Sequence, residues 1–332
     1  MDPLFISAIV LLGVMGFVFG AIIAVVARRF AVKIDPRVKH IMDALPGANC
    51  GACGYPGCLG LAEAIAKGEA PVDACIPGGK EVADQIAEIM GTEASERIRM
   101  VAVAKCSGGC ENAYDKMEYH GEMDCRIAYL TSGGPKGCQY GCLGFGTCAE
   151  ECPFGAITMV NELPVVDDKT CTGCGVCVNV CPVDVMELIP YNSKVYVACN
   201  NKDRGVAVKK FCKTGCIACR LCEKFCPYDA IHITDNLAKV DYSRCTNCGI
   251  CVAKCPTKCI LDKIETRPKV YITGDCTGCG ECKKVCPVKA ITGEEGEQYK
   301  VDMDRCIGCG ECIKVCPASA IRIIGSPAEV AS

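Results

Sequence analysis

Residues 171–182 read CTGCGVCVNVCP, with three cysteines at i, i+3 and i+6 and a fourth in a Cys-Pro pair. That spacing is a 4Fe–4S ligand run: a tight loop gives three thiolates to one cluster, and the proline-flanked cysteine serves its neighbour. Working outward, Cys-Pro recurs at Cys152, Cys181, Cys226, Cys255, Cys286 and Cys316, and five of the six runs keep the full spacing. The runs fall into pairs, because Cys152 to Cys171 and Cys226 to Cys245 are each 19 residues and Cys286 to Cys306 is 20. The chemistry this implies is electron transfer, with each cysteine a ligand and none a nucleophile.

Three pairs imply three two-cluster, ferredoxin-like modules and six cubanes. Structural zinc would favour separated CxxC knuckles closing on a set of four, and a disulfide scaffold would need an oxidising compartment. With 34 cysteines in 332 residues, no Trp and 6% aromatics, metal–thiolate bonds must supply folding energy that apolar burial cannot. A net charge of −3 excludes a nucleic-acid binder driven by overall positive charge.

Residues 3–27, PLFISAIVLLGVMGFVFGAIIAVVA, run 25 residues without a charge, followed by Arg28, Arg29 and Lys33. Such a run is long enough to span a bilayer. Only Asp2 precedes it, so a basic secretory n-region is lacking. The arginines place the C-terminal side in the cytoplasm, which predicts a single-pass protein of the cell membrane with its bulk in a reducing compartment. Residues 34–45 predict a short amphipathic helix leading into PGANCGACGYPGC, which carries Cys50, Cys53 and Cys58. A helix over 59–67 returns the chain to Cys75, and the four cysteines fit one cubane.

The expected fold class is α+β: a transmembrane anchor (1–29), a small helical 4Fe–4S domain (34–80), an irregular cysteine-containing linker (81–137), three tandem modules (138–190, 191–262 and 268–325) and a tail (326–332). Within the linker, 81–90 reads as helix and 95–103 as an extended segment. The expected ligands are Cys50, Cys53, Cys58 and Cys75; Cys138, Cys142, Cys148 and Cys152; Cys171, Cys174, Cys177 and Cys181; Cys216, Cys219, Cys222 and Cys226; Cys245, Cys248, Cys251 and Cys255; Cys276, Cys279, Cys282 and Cys286; and Cys306, Cys309, Cys312 and Cys316.

The first run departs from the rule, with Phe145 where its middle cysteine belongs. Cys125, Cys138, Cys142, Cys148 and Cys152 repeat the spacings of Cys199, Cys212, Cys216, Cys222 and Cys226, so the first two modules are duplicates with a shared arm that the third lacks. On one reading Cys138 completes the first cubane, for seven clusters in all. On the other, Cys106, Cys110, Cys125 and Cys138 hold an eighth, and Cys142, Cys148 and Cys181 form an incomplete or three-iron site. Cys199, Cys212 and Cys259 then read as buried small hydrophobes or thiols beside a cluster.

The membrane run, the PGANCGACGYPGC loop closed by Cys75 and the ferredoxin runs, in this order, resemble the B subunit of Rnf-type complexes, the ion-translocating ferredoxin:NAD+ oxidoreductases of bacterial membranes. The number of pairs resembles the extended form of clostridia and acetogens. The resemblance implies soluble ferredoxin as donor, and membrane and flavin- or NAD-binding subunits as partners that house hydride transfer and the Na+ or H+ path. The chain itself has no GxGxxG after a strand and no P-loop. The alternatives are a membrane-anchored polyferredoxin serving a hydrogenase, dehydrogenase or corrinoid protein, whose loops resemble the Cys50–Cys75 set, and a storage protein whose clusters only hold the fold. Basic groups at Lys202, Arg204, Lys209, Lys210, Lys213, Arg220 and Lys224, and at Lys283, Lys284 and Lys289, suit docking of an acidic donor.

Overall fold

The computed structural model describes residues 3–29, 35–95 and 97–324, with backbone alone for 3–10. Asp2, Lys33, Ile34 and the expected tail lie outside the described residues.

The first helix, α1 (Pro3–Arg29), has 27 residues and so a length of about 40 Å. It is the one helix among the described residues long and apolar enough to cross a membrane, and its Leu11–Arg29 stretch is not buried against the rest of the chain. Next, α2 (Pro36–Ala44), capped by Asp35, packs with α3 (Gly57–Lys67) and α4 (Gly79–Met90). Val38, Ile41, Leu61, Ile65 and Ile86 form their shared core, beside the buried Cys58 and Cys75.

Each later module repeats one plan: strand, ligand run, hairpin, ligand run, and a last strand that pairs antiparallel with the first. The first module comprises β1 (Met100–Ala104), α5 (Cys125–Leu130), α6 (Thr147–Glu150), β2 (Ile157–Val160), β3 (Leu163–Val166), α7 (Val176–Asn179) and β4 (Met186–Pro190). The second has β5 (Val195–Val197), α8 (Gly205–Phe211), α9 (Leu221–Lys224), β6 (Ile231–Thr234), β7 (Leu237–Val240), α10 (Ile250–Lys254) and β8 (Ile260–Asp262). The third has β9 (Val270–Ile272), α11 (Glu281–Val285), β10 (Ile291–Thr292), β11 (Lys300–Val301), α12 (Glu311–Lys314) and β12 (Ile321–Ile323).

The registers Ala104↔Met186, Val197↔Ile260 and Ile272↔Ile321 close the three modules alike. The linker expected over 81–137 therefore contains the first strand of the first module. Its MVAVA sequence is buried along Val101–Ala104 by pairing with a strand about eighty residues away, a partner local spacing does not reveal.

Two left-handed positions shape every run. Gly146, Gly175, Gly249, Gly280 and Gly310 precede five of the short helices with positive φ, and Arg220 holds the same conformation at φ 60° before α9. The third residue after each Cys-Pro cysteine is also left-handed: Gly155, Asp184, Asp229, Lys258, Lys289 and Ser319. Glycine adopts this region without a Cβ penalty, and the other side chains do so at some cost in strain.

Neighbouring units are tied by specific contacts. Arg97 pairs with the largely buried carboxylate of Asp73 at 2.7 Å, joining the small helical domain to the first module. Ser107 donates to the Ala198 carbonyl at 3.1 Å, and Lys263 meets Asp168 at 2.6 Å between the first and second modules. Tyr228 donates to Glu311 at 2.6 Å between the second and third.

Candidate metal centres

The turn after four of the six Cys-Pro pairs aims a backbone N–H at the cysteine sulfur. Val185 donates to Cys181 at 3.4 Å, Ala230 to Cys226 at 3.3 Å, Ala290 to Cys286 at 3.2 Å and Ala320 to Cys316 at 3.3 Å. N–H groups directed at sulfur stabilise thiolates and tune an iron–sulfur site. A mononuclear site needs its ligands closed on one point at about 2.3 Å from the metal. Among the described residues no three metal-ligating side chains close in that way; the cysteines stand apart around cavities. This arrangement fits 4Fe–4S clusters.

Cys286, Cys306, Cys309 and Cys312 wall one cavity, and Cys226, Cys245, Cys248 and Cys251 wall another. In each, a Cys-Pro cysteine from one run joins three from the other. The Cys222 thiol is pushed up to about 11 by burial, with the charges of Cys216, Cys219 and Cys255 adding to it. The same causes raise Cys282 beside Cys276, Cys279 and Cys316. Cys177 rises to about 12 through burial and the neighbouring Cys171, Cys174, Cys148 and Cys152. Cys75 is raised by burial and then by Cys58, Cys53 and Cys50. Buried thiols that repel one another as anions are a site for a cationic centre, whose charge would offset both penalties.

At the irregular first run, the structure places a different residue from the expected one. The cavity there is walled by Cys125, Cys142, Cys148 and Cys181, whereas Cys138 lines another. Cys125 opens α5, whose start is fixed by the Asp124 cap, and its N–H donates to the buried Thr147 hydroxyl at 2.8 Å. Phe145 packs on Tyr119 with ring centroids 5.2 Å apart, on the same side as Cys125, Ala128 and Leu143. Neither sequence reading paired Cys125 with Cys142, Cys148 and Cys181; the signal was the missing thiol at Phe145 and a spare one 20 residues earlier.

Cys106, Cys138, Cys199 and Cys212 line a further cavity, with Cys142 in the wall it shares with the previous one. Cys199 and Cys212 are thus buried, as expected, and stand among other cysteines. Cys110 lies apart, exposed, with its thiol on the Asn161 side-chain oxygen. Cys259 is buried, its sulfur 3.6 Å from that of Cys255. Its side-chain contacts with Cys216 and Cys255 lower the pKa values of both and raise its own. Cys259 is thus a buried thiol beside two of the expected ligands, Cys216 and Cys255.

The sets stand in a file with one break, between the first and second modules. Cys50 is near enough to add to the burial that raises Cys174, and Cys148 likewise adds to the rise at Cys177. Cys222 is close to Cys251, Cys248 to Cys309, and Cys282 to Cys312.

Residues 45–77 match the family described as a putative Fe-S cluster domain, and residues 136–185, 215–259 and 275–320 match the 4Fe-4S dicluster domain. The chain is 49% identical over 256 residues to the B subunit of the Na(+)-translocating ferredoxin:NAD(+) oxidoreductase complex of Acetobacterium woodii, covering 77% of each chain. It is 47% identical over 259 residues to the proton-translocating counterpart of Clostridium ljungdahlii, covering 77% of this chain and 91% of that one. To the B subunit of the ion-translocating oxidoreductase complex of Methanosarcina acetivorans it is 42% identical, covering 78% and 99%. With its dicluster repeats, its cysteine-walled cavities and this breadth of similarity, the chain belongs to the family of iron–sulfur electron-transfer B subunits of ion-translocating, Rnf-type ferredoxin:NAD+ oxidoreductase complexes.

Proposed function

We propose that the chain accepts electrons from soluble reduced ferredoxin at its third module and delivers them beside the membrane to partner subunits, which reduce NAD and move Na+ or H+. The 4Fe–4S clusters, when bound, supply one-electron carriers. The residues that would hold them are Cys50, Cys53, Cys58 and Cys75; Cys152, Cys171, Cys174 and Cys177; Cys125, Cys142, Cys148 and Cys181; Cys216, Cys219, Cys222 and Cys255; Cys226, Cys245, Cys248 and Cys251; Cys286, Cys306, Cys309 and Cys312; and Cys276, Cys279, Cys282 and Cys316.

The observation that carries the direction is the file itself. Cys50, from the domain that follows α1, stands beside Cys174, whereas the Cys276 set adjoins only the Cys306 set among the contacts described. Arg28 and Arg29 at the end of α1 suit a cytoplasmic flank. No carboxylate or lysine interrupts that helix, so the ion path is placed on partners.

The test is anaerobic purification with the membrane partners, followed by mixing with reduced ferredoxin and recording the bleaching of cluster absorbance. Rapid bleaching is expected. A full set of clusters that ferredoxin cannot reduce would overturn the donor, and a Cys50-set potential far below all others would reverse the direction.

A further inference from the structure

We propose that Cys106, Cys138, Cys199 and Cys212 hold an additional 4Fe–4S cluster at the junction of the first and second modules. This rests on the iron–sulfur reading of the seven other sets and extends it to four cysteines outside the regular runs. Only Cys138 lies within a matched dicluster stretch.

The site is built from equivalent parts of two modules. Cys106 lies two residues past the end of β1, and Cys199 two past the end of β5. Cys138 and Cys212 each lie four residues before the first cysteine of the next run, Cys142 and Cys216. One strand-end thiol and one arm thiol from each module therefore meet around a single cavity. The two arms are bound together directly: Tyr114 N–H donates to the Phe211 carbonyl at 3.0 Å, and the Thr214 hydroxyl to the Ser107 carbonyl at 3.1 Å.

Donors surround these sulfurs as they do at the other sets. Cys106 accepts from the N–H of Gly108 at 3.4 Å and of Cys142 at 3.5 Å, and Cys199 accepts from Cys216 at 3.3 Å. The side-chain amide of Asn201, 2% exposed, donates to Cys138 at 3.1 Å. Such a buried amide is costly to place without an acceptor, and a ligating thiolate is a strong one. A Cβ on Gly108 would stand 3.2 Å from the Cys212 sulfur and 3.6 Å from that of Cys106, so the bare backbone passes close to thiols of both modules.

The assignment accounts for nearly every cysteine in the chain. Eight sets of four use 32 of the 34 cysteines, leaving the exposed Cys110 and the hydrogen-bonded Cys259. The site also fills the one break in the file, since Cys142 of one set adjoins Cys106 and Cys216 of the next adjoins Cys199. Between the second and third modules, Gly274 occupies the strand-end position and the arm is missing; there Cys248 and Cys309 already adjoin.

The test uses the full-length chain, produced anaerobically and purified in detergent, with iron, acid-labile sulfide and zinc measured per chain. The native chain is expected to hold about 32 irons and as many sulfides, at four per cluster. The Cys138→Ala/Cys212→Ala variant should lose about four of each, while Cys110→Ala should lose none. A native content of about 28 irons overturns the proposal and leaves the seven sets standing, as does about 28 irons with one zinc. Absence of iron and sulfide throughout would sink the underlying reading instead. The native count decides the matter even if the double variant does not fold.

Discussion

Cys106 and Cys199 occupy the same place in successive modules, each two residues past the strand that opens its module, and each sulfur accepts an N–H from the first cysteine of the following run, Cys142 at 3.5 Å and Cys216 at 3.3 Å. The duplication visible in the arm spacings thus extends to the strands. The modules diverge at one point. The second has Cys219 in the middle of its first run, whereas the first has Phe145 and brings Cys125 on α5 to the cavity in its stead.

Cys125→Ala should remove one ligand from the Cys142, Cys148 and Cys181 set. We expect a loss of between about one and four irons per chain and a changed electron paramagnetic resonance spectrum of the oxidised protein. Adding Phe145→Cys restores a thiol at the regular position and should return the iron. If Cys125→Ala leaves iron and spectrum unchanged, Cys125 is not the ligand.

Cys259 occupies the position held by Ala230, Ala290 and Ala320 after other Cys-Pro turns, so Cys259→Ala should fit without steric conflict. The substitution removes a side-chain contact from Cys216 and Cys255. Hydrogen bonds to ligating sulfurs favour the reduced, more negative cluster, so the potential of this set should fall while iron content stays constant. Redox titration followed by electron paramagnetic resonance checks this, and an unmoved potential would dismiss the contact.

Lys136, 3% exposed, reaches Glu162 at 2.5 Å and Asp115 at 3.3 Å. Burial alone would lower its pKa; the hydrogen bond to Glu162 and the charges of both carboxylates outweigh burial and raise it. The pair's contribution is therefore whole below the ordinary lysine value of about 10.4 and is lost as pH rises through the folded-state value. Lys136→Met should destabilise by about 1–2 kcal/mol, less than for a fully buried pair because both carboxylates are about half exposed and can rehydrate. Denaturant midpoints measured anaerobically at neutral pH should show the difference.

Lys284 and Lys289 are exposed beside Cys286 at the far end of the file from α1. If an acidic ferredoxin docks there, Lys284→Glu/Lys289→Glu should slow reduction about tenfold at low ionic strength, and the gap should shrink as salt rises. Stopped-flow bleaching reads the rate. A larger effect from Lys209→Glu/Lys210→Glu would move the docking surface to α8 in the second module.

The five regular runs were legible because each is local: a twelve-residue loop with a left-handed turn encodes three ligands by spacing alone. That a Cys-Pro cysteine of one run faces the three cysteines of the other was equally readable, since each module repeats one stride. The long apolar helix α1 and the Fe–S stretch around Cys50–Cys75 were also accessible from composition and spacing. The strand MVAVA was recognised as extended but placed in a linker, because an isolated strand does not state its partner.

Sequence by itself determined the cluster chemistry, the threefold repeat and the family, all of which depend on residue types at short, constant separations. Tertiary structure alone decided that Cys125 stands at the cavity of Cys142, Cys148 and Cys181, and that Cys106, Cys138, Cys199 and Cys212 converge. The reason is physical: these thiols are brought together by antiparallel registers and by arms hydrogen-bonded across two modules, and cooperative pairing over such separations leaves no fixed spacing along the chain.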